Sequence, residues 1–370
     1  MKINKDILIV GAYPPKNKKQ HPGGMITATR QLVLYLKANN ILYDIIDTSQ
    51  NNFPSPSNFK KLIDSFKRIL SIKNFLSKNK YRGALVFSSG GLGFFEKIIL
   101  ALILEFKGVP TMFFIRSGRF IGHVNNSKLF KKVAVYLMSK VTYIAHQGGL
   151  WNEFYKKLDI DKNKIYKLLN WIEVKKTPKK VLKSSNNDGL VFLYVGWLIE
   201  EKGIQDLKEV IFENEKLKKH TFIFVGSGSL FDEMAKFIKD KNITNIMLKG
   251  WLSEEEVVEE YKKADVFIFP SHLEGFPNVV LEALNYRLPI ITTNVGGISE
   301  SVINDFNGYV IEPMNKKQLL EAIILISSDE EKRMSFSNNA ESVLLNNHQI
   351  DINCKKLVNI FKIKSTPMLV

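Results

Sequence analysis

Two glutamates, Glu274 and Glu282, stand in the stretch Ser271-His272-Leu273-Glu274-Gly275-Phe276-Pro277-Asn278-Val279-Val280-Leu281-Glu282-Ala283. Glu274 falls in an expected loop and Glu282 inside the expected helix that follows. Gly275 and Pro277 stand at the mouth of that helix, the proline in its first turn, where its missing N–H is not needed. Free N–H groups of a first turn attract an anion. Glu282, about one turn further in, is placed to accept hydrogen bonds from hydroxyls. A phosphate at a helix end with hydroxyls on either side describes a nucleotide-sugar. The plainer alternative is a strand–loop–helix with solvent-facing glutamates.

Other segments share this strand–glycine–helix form. Val195-Gly196-Trp197-Leu198-Ile199-Glu200-Glu201-Lys202-Gly203 puts Lys202 at a helix mouth, where its cation can reach a diphosphate. Val225-Gly226-Ser227-Gly228-Ser229 repeats the arrangement with Ser229 as the expected N-cap, and Gly296-Gly297-Ile298-Ser299-Glu300 repeats it again. Near the start, Ala12-Tyr13-Pro14-Pro15 leads through a lysine-rich insert to His21-Pro22-Gly23-Gly24, a glycine pair that lets backbone approach a ligand. That loop is not a G-x-G-x-x-G fingerprint. The six histidines include no pair at metal-ligand spacing, so no metal is expected. There is no G-x-S-x-G elbow and no Walker A lysine.

The elements that must position these residues alternate along the chain. Expected strands are Asp6–Gly11, Ile41–Ile46, Ala84–Phe87, Thr111–Ile115, Val141–Ala145 and Ile165–Leu168, then Leu190–Val195, Phe222–Val225, Ile246–Leu248, Val266–Phe269, Ile290–Thr292 and Tyr309–Ile311. Helical patterns fill the gaps. Such alternation predicts parallel sheets covered on both faces. The fold class is α/β, with two Rossmann-like doubly wound domains facing across a cleft and ligands beyond the carboxyl ends of the strands. The expected domains are 1–172 and 189–345, joined by a polar linker at 173–188. A helical tail, 346–370, has no readable packing; a return to the N-terminal domain is one placement.

Composition narrows the class. A chain of 370 residues, 45% hydrophobic, holds about two domains. The one cysteine excludes an internal disulfide and fits a reducing cytosol. No apolar run reaches membrane-span length, so a cytoplasmic location is expected. The net charge is +16, without the framework of a nucleic-acid module; no nucleic-acid partner is expected. Between Phe59 and Arg82 lie eight basic residues (Lys60, Lys61, Lys67, Arg68, Lys73, Lys78, Lys80, Arg82) against one acid, Asp64. Phe59, Leu62, Ile63, Phe66, Ile69, Leu70 and Phe75 fall near helical spacing. One reading is a basic amphipathic helix on an anionic membrane surface; the other is a core-packed helix with a solvated lysine face.

Taken in order, these motifs resemble the retaining glycosyltransferases of the GT-B fold, family four. The resemblance rests on Val195-Gly196…Lys202-Gly203, Phe224-Val225-Gly226-Ser227-Gly228, Lys249-Gly250-Trp251, Ala264-Asp265-Val266, Pro270-Ser271…Glu274-Gly275-Phe276-Pro277…Glu282-Ala283, Gly296-Gly297…Glu300 and Asn307-Gly308. It runs in register from about Leu190 to Pro313. The first half is similar more loosely, through Pro14-Pro15…Gly23-Gly24 and Asn170.

The resemblance implies roles. Glu274 and Lys202 are the catalytic candidates: Glu274 faces the donor sugar and Lys202 neutralises the leaving diphosphate. Glu282 binds the ribose. Gly23 and Gly24, Gly196 and Trp197, Gly226 and Gly228, the border of the base at Lys249, Trp251 and Leu252, and Gly275, Phe276, Pro277, Asn278 and Val279 complete the expected donor site. Two positions depart from the family. Trp197 stands where an arginine is usual, and Phe114-Ile115-Arg116-Ser117-Gly118-Arg119 stands where a histidine is frequent. Arg116 and Arg119 are therefore acceptor-side candidates, although a guanidinium is no base.

The implied activity is metal-independent hexosyl transfer with retention to an acceptor hydroxyl, the leaving phosphate taking the proton. The expected donor is a UDP-sugar in preference to a GDP-sugar. The expected acceptor is lipid-linked or an oligosaccharide, in capsule or O-antigen assembly at the inner membrane face. A soluble-acceptor synthase on the same fold and a non-catalytic nucleotide-sugar-binding scaffold are the alternatives.

Overall fold

The computed structural model describes residues 2–14, 23–49, 57–174 and 189–363. Two compact units emerge, one of residues 1–173 with 349–370 and one of 174–348. The lysine-rich insert with His21 and Pro22, and the polar segment from 175 to 188, lie outside the described residues.

The first unit contains β1 (Ile3–Gly11), α1 (Gly24–Ala38), β2 (Tyr43–Asp47), α2 (Asn58–Lys78), β3 (Asn79–Ser88), α3 (Leu92–Phe106), β4 (Thr111–Ile115), α4 (Arg119–Asn126), α5 (Lys128–Met138), β5 (Tyr143–His146), α6 (Leu150–Lys157) and β6 (Ile165–Lys167). All strands are parallel, in the order β2-β1-β3-β4-β5-β6. Alternate residues of each strand enter different cores. Leu8, Val10, Val86, Phe113 and Ile115 join one cluster, and Ile7, Ile9, Leu85, Phe87 and Phe114 the other. Burial on both faces explains why these strands read as unbroken apolar runs.

The second unit contains β7 (Val191–Val195), α7 (Ile204–Glu213), β8 (Thr221–Val225), α8 (Phe231–Asp240), β9 (Ile246–Gly250), α9 (Glu254–Lys263), β10 (Val266–Phe269), α10 (Asn278–Asn285), β11 (Ile290–Thr293), β12 (Gly308–Ile311), α11 (Lys316–Ser328) and α12 (Glu330–Asn347). Its parallel sheet runs β12-β11-β10-β7-β8-β9. That is the doubly wound order whose direction reverses between β7 and β10. After α12 the chain forms α13 (Ile350–Ile360), whose Cys354, Leu357 and Val358 pack into the first unit's core with Phe361 and Ile363. A side chain at Gly83 of β3 would collide with the Phe361 ring, so the glycine admits it.

The basic helix is shorter than expected. α2 ends at Lys78, and Lys80 and Arg82 lie in β3, because Tyr81 and the run from Gly83 to Ser88 are buried sheet residues. Ile69, Ile72, Phe75 and Leu76 pack inward, and Arg68 is tied to Glu96 of α3 at 2.5 Å. The first half of the helix is different. Phe59, Leu62, Phe66 and Leu70 are 72%, 68%, 61% and 51% exposed. Among the described residues, no helix is long and apolar enough to cross a membrane.

Candidate active site at the carboxyl edge of the second sheet

The order reversal leaves a crevice between the loops that follow β7 and β10, the usual ligand position in such sheets. Lys202 and Glu274 come from those two loops. They form an ion pair, Nζ to Oε1 at 2.5 Å, with both side chains mostly shielded from water. The lysine cation also lies 5.7 Å from the Phe269 ring.

Backbone packing sets this register. Gly203 has φ +70°, and a Cβ there would lie 2.0 Å from the Pro270 carbonyl oxygen. Gly296, at φ +58°, presses in the same way on the Glu274 and Gly275 carbonyls. Polar ties complete the clamp. The His272 amide and the Ser271 hydroxyl both donate to the Glu201 carbonyl, at 2.8 and 3.1 Å. The His272 ring meets Asp206 of α7 at 2.7 Å. Sequence reasoning missed this His272–Asp206 pair. Its signal was a histidine two residues before Glu274 and an acid four residues after Lys202.

Glu282 lies on α10 and accepts a hydrogen bond from the Tyr261 hydroxyl of α9 at 3.0 Å. The tyrosine ring stacks on Tyr286 at 5.2 Å. Burial raises the Glu282 pKa above the ordinary carboxylate value; the Tyr261 bond opposes the rise and the Glu254 charge adds to it. A carboxylate in such a place gains from further hydroxyl donors.

Two local expectations need correction. Pro277 is the N-cap of α10 rather than a first-turn residue: its ψ of 118° is extended, and the helix begins at Asn278. Ser229 is not the cap of α8. Leu230 takes that place because its N–H bonds the Leu198 carbonyl at 3.0 Å, which holds the turn one residue longer.

The remaining donor candidates separate into groups. Trp197 and Trp251 meet edge to face, centroids 4.7 Å apart, so the loops after β7 and β9 touch through two indoles. Lys249, the next-to-last residue of β9, has an exposed side chain and Leu252 is half-buried. The Gly196 and Gly226 amides donate to the Val225 and Gly250 carbonyls, so both serve loop packing. Gly228 abuts the Leu198 carbonyl. Gly275, Phe276 and Asn278 are buried, Val279 is half-buried, and the Val279 carbonyl accepts from Tyr261 at 3.3 Å.

Four candidates belong to the first unit. Gly23 caps α1 and Gly24 begins it. Arg119 is exposed at the start of α4. Arg116 follows β4, its amide bonded to the Ser88 carbonyl at 2.8 Å. Its guanidinium lies 5.3 Å from Phe87, 5.2 Å from Phe114 and 6.0 Å from Trp171. Two glycine turns that sequence reasoning passed over flank it: Ser88-Ser89-Gly90-Gly91-Leu92-Gly93 after β3 and Gln147-Gly148-Gly149 after β5.

Residues 175–343 match the family described as glycosyl transferases group 1. The second unit belongs to that family. A galactosyltransferase of Escherichia coli, named for UDP-Gal and an N-acetylglucosaminyl diphosphoundecaprenol, is 24% identical over 89% of this chain and 88% of its own length. An uncharacterized glycosyltransferase of Methanocaldococcus jannaschii is 32% identical over 40% of this chain. That match spans 41% of the archaeal protein, less than half its length. Among solved structures, sucrose-phosphate synthase from Thermosynechococcus elongatus superposes with a TM-score of 0.76 at 16% identity, over 97% of this chain and 98% of that one. The fold is GT-B, as the family resemblance implies.

Proposed function

We propose that the chain transfers a hexosyl group with retention from a nucleotide-diphosphate sugar to an acceptor hydroxyl in surface polysaccharide assembly. A UDP-sugar is favoured over a GDP-sugar, and a lipid-linked or oligosaccharide acceptor over a small soluble one. The Escherichia coli relative, whose name carries UDP-Gal and a lipid diphosphate, supports both preferences.

The observation that carries the reading is the shielded Lys202–Glu274 pair at the crevice of the second sheet. A cation at that place can shift from the glutamate to a departing diphosphate. The bond from the anomeric carbon to the diphosphate oxygen breaks, and the acceptor oxygen joins the same face of that carbon. The acceptor proton passes to the leaving phosphate. Lys202 stabilises the charge that develops on it, and Glu274 stays beside the sugar. Glu282 holds the ribose hydroxyls, with Tyr261 fixing its carboxylate. Since Lys202 supplies the positive charge, no metal has a role in the proposal.

The exposed apolar stripe of α2, flanked by Lys60, Lys61 and Lys67, supports attachment to the inner face of an anionic membrane. The test is a transfer assay with UDP- and GDP-sugars, a prenyl-diphosphate-linked acceptor and EDTA. The expected product keeps the donor's anomeric configuration by NMR. An inverted product, or activity that returns only with metal, contradicts the proposal.

A further inference from the structure

The amino edge of the second sheet, where its strands begin, holds a cavity of about 370 Å³. Small-molecule sites start at about 300 Å³. One wall is the turn between α7 and β8, with Lys216, Leu217, Lys219 and His220; the other is the end of α11, with Ile324 and Ser327. Lys202 and Glu274 follow the far ends of β7 and β10, so the transfer chemistry does not use this place.

His220 stands directly before β8 and is only 3% exposed. Its Nδ1 accepts the Leu190 amide at 3.0 Å, which leaves the proton of the neutral ring on Nε2. That N–H has no acceptor among the described residues, and the ring lines the cavity. Burial, with the charges of Lys219 and Arg333, lowers the His220 pKa to about 4, so the ring is neutral near neutrality. Both charges felt at the ring are positive.

Arg333 of α12 is fully buried. Its Nη1 donates to the Ile326 and Ser327 carbonyls at 2.8 and 3.0 Å, and its Nη2 has no partner. Lys216 and Lys219 are exposed and pair with no acid among the described residues. The acids of these segments are engaged: Glu215 pairs with Lys218 at 2.6 Å, and Asp329 accepts from the Lys332 amide at 2.8 Å. Cations gathered without an acid repel one another, and a shielded N–H without an acceptor forgoes a hydrogen bond. An anion relieves both. A phosphomonoester carries nearly two negative charges and several acceptor oxygens, and its carbon body has Leu217 and Ile324 to lie against.

We propose that this cavity binds a small phosphomonoester, with the His220 Nε2–H as donor and Lys216 and Lys219 as counter-charges. The site is separate from the nucleotide-sugar crevice and does not rest on the transferase reading.

The experiment is calorimetric titration of the UDP-saturated full chain with glycerol phosphate, with glycerol as the neutral control. His220→Asn keeps an acceptor for the Leu190 amide and removes the Nε2 donor. Lys216→Ala/Lys219→Ala alters exposed side chains only. Binding of one glycerol phosphate per chain, weakened about tenfold or more by each variant, is the expected result. UDP affinity should be equal in all three proteins. No binding, binding no tighter than that of glycerol, or affinity unchanged in either variant overturns the proposal. Exclusion by UDP also overturns it, because the phosphate then occupies the crevice. A shift of the His220 Nε2–H signal in the wild type, read by NMR of histidine-labelled protein, supplies a reading that no folding defect can mimic; an unmoved signal counts against the site. If the chain binds no UDP, the transferase reading fails, and the same titration without UDP still decides this cavity.

Discussion

The carboxyl edges of the two sheets carry their charges differently. On the second sheet Lys202 faces Glu274, His272 faces Asp206, and Glu282 holds Tyr261. On the first sheet Arg116 sits among Phe87, Phe114 and Trp171, with no acid paired to it among the described residues. The first arrangement is balanced by its own residues, and a ligand must compete for partners already engaged. The second is not balanced by an acid among the described residues. Similar parallel sheets, with glycine turns at similar ends, can thus hold a self-compensated site or an uncompensated one.

The largest expected effect comes from breaking the compensated pair. Lys202→Ala should lower kcat/KM by about 100-fold or more, the scale of losing one charge-stabilising donor. It should also destabilise the protein by about 3 kcal/mol, since it strands Glu274 in a shielded position. Lys202→Ala/Glu274→Ala should recover most of that stability and none of the activity. A double variant no more stable than Lys202→Ala would show that the pair is not coupled.

Glu282→Ala comes next, with UDP affinity expected to fall by about tenfold, the scale of a hydrogen bond to a charged group. The raised pKa of Glu282 adds a pH dependence. UDP affinity should decline on acidification at a higher pH than an ordinary carboxylate allows. For stability the sign is opposite. The folded state holds this proton more tightly than the unfolded chain, so the contribution is complete below the unfolded glutamate pKa and is lost as pH rises through the folded one. Glu282→Gln should flatten that decline in a series of thermal melts, and an unchanged slope would contradict the assignment.

The open edge predicts a smaller effect in the reverse direction. Arg116→Met should raise Tm by about 2 °C, because it removes a half-buried cation whose Nη1 is shut off from water without a partner and keeps an apolar stem. A lower Tm would mean that the rings depend on the guanidinium for packing. The smallest effect on the site is expected from α2. Lys60→Glu/Lys61→Glu/Lys67→Glu should leave UDP affinity unchanged while abolishing flotation with anionic vesicles.

Much of this was legible in the chain. The inner strands of both sheets are apolar runs without alternation, the mark of sheets buried on two faces, and Thr111–Ile115 and Val266–Phe269 appear where the runs lie. The Glu274 and Lys202 loops were readable because their glycines and proline have backbone reasons. Contacts between distant segments were not. Nothing local marks Tyr261 as the partner of Glu282, or His272 as the partner of Asp206, since those pairs depend on which helices the sheet order sets side by side. Ser229 misled because a good capping residue yielded to the bond that the Leu230 amide donates to the Leu198 carbonyl. The apolar residues of α2 misled in part: Ile69 and Phe75 face the core, while Phe59, Leu62 and Phe66 face solvent on the same helix. A periodicity that marks one apolar face does not say what covers it.

The central claim is that Lys202, Glu274 and Glu282 form a nucleotide-sugar site. Calorimetric binding of UDP, GDP, ADP and their sugar conjugates without metal tests it most directly, in the wild type and in Glu282→Ala. Micromolar binding of UDP or a UDP-sugar, weakened by Glu282→Ala, is the predicted result. No binding by any nucleotide, or an affinity indifferent to Glu282→Ala, would contradict it.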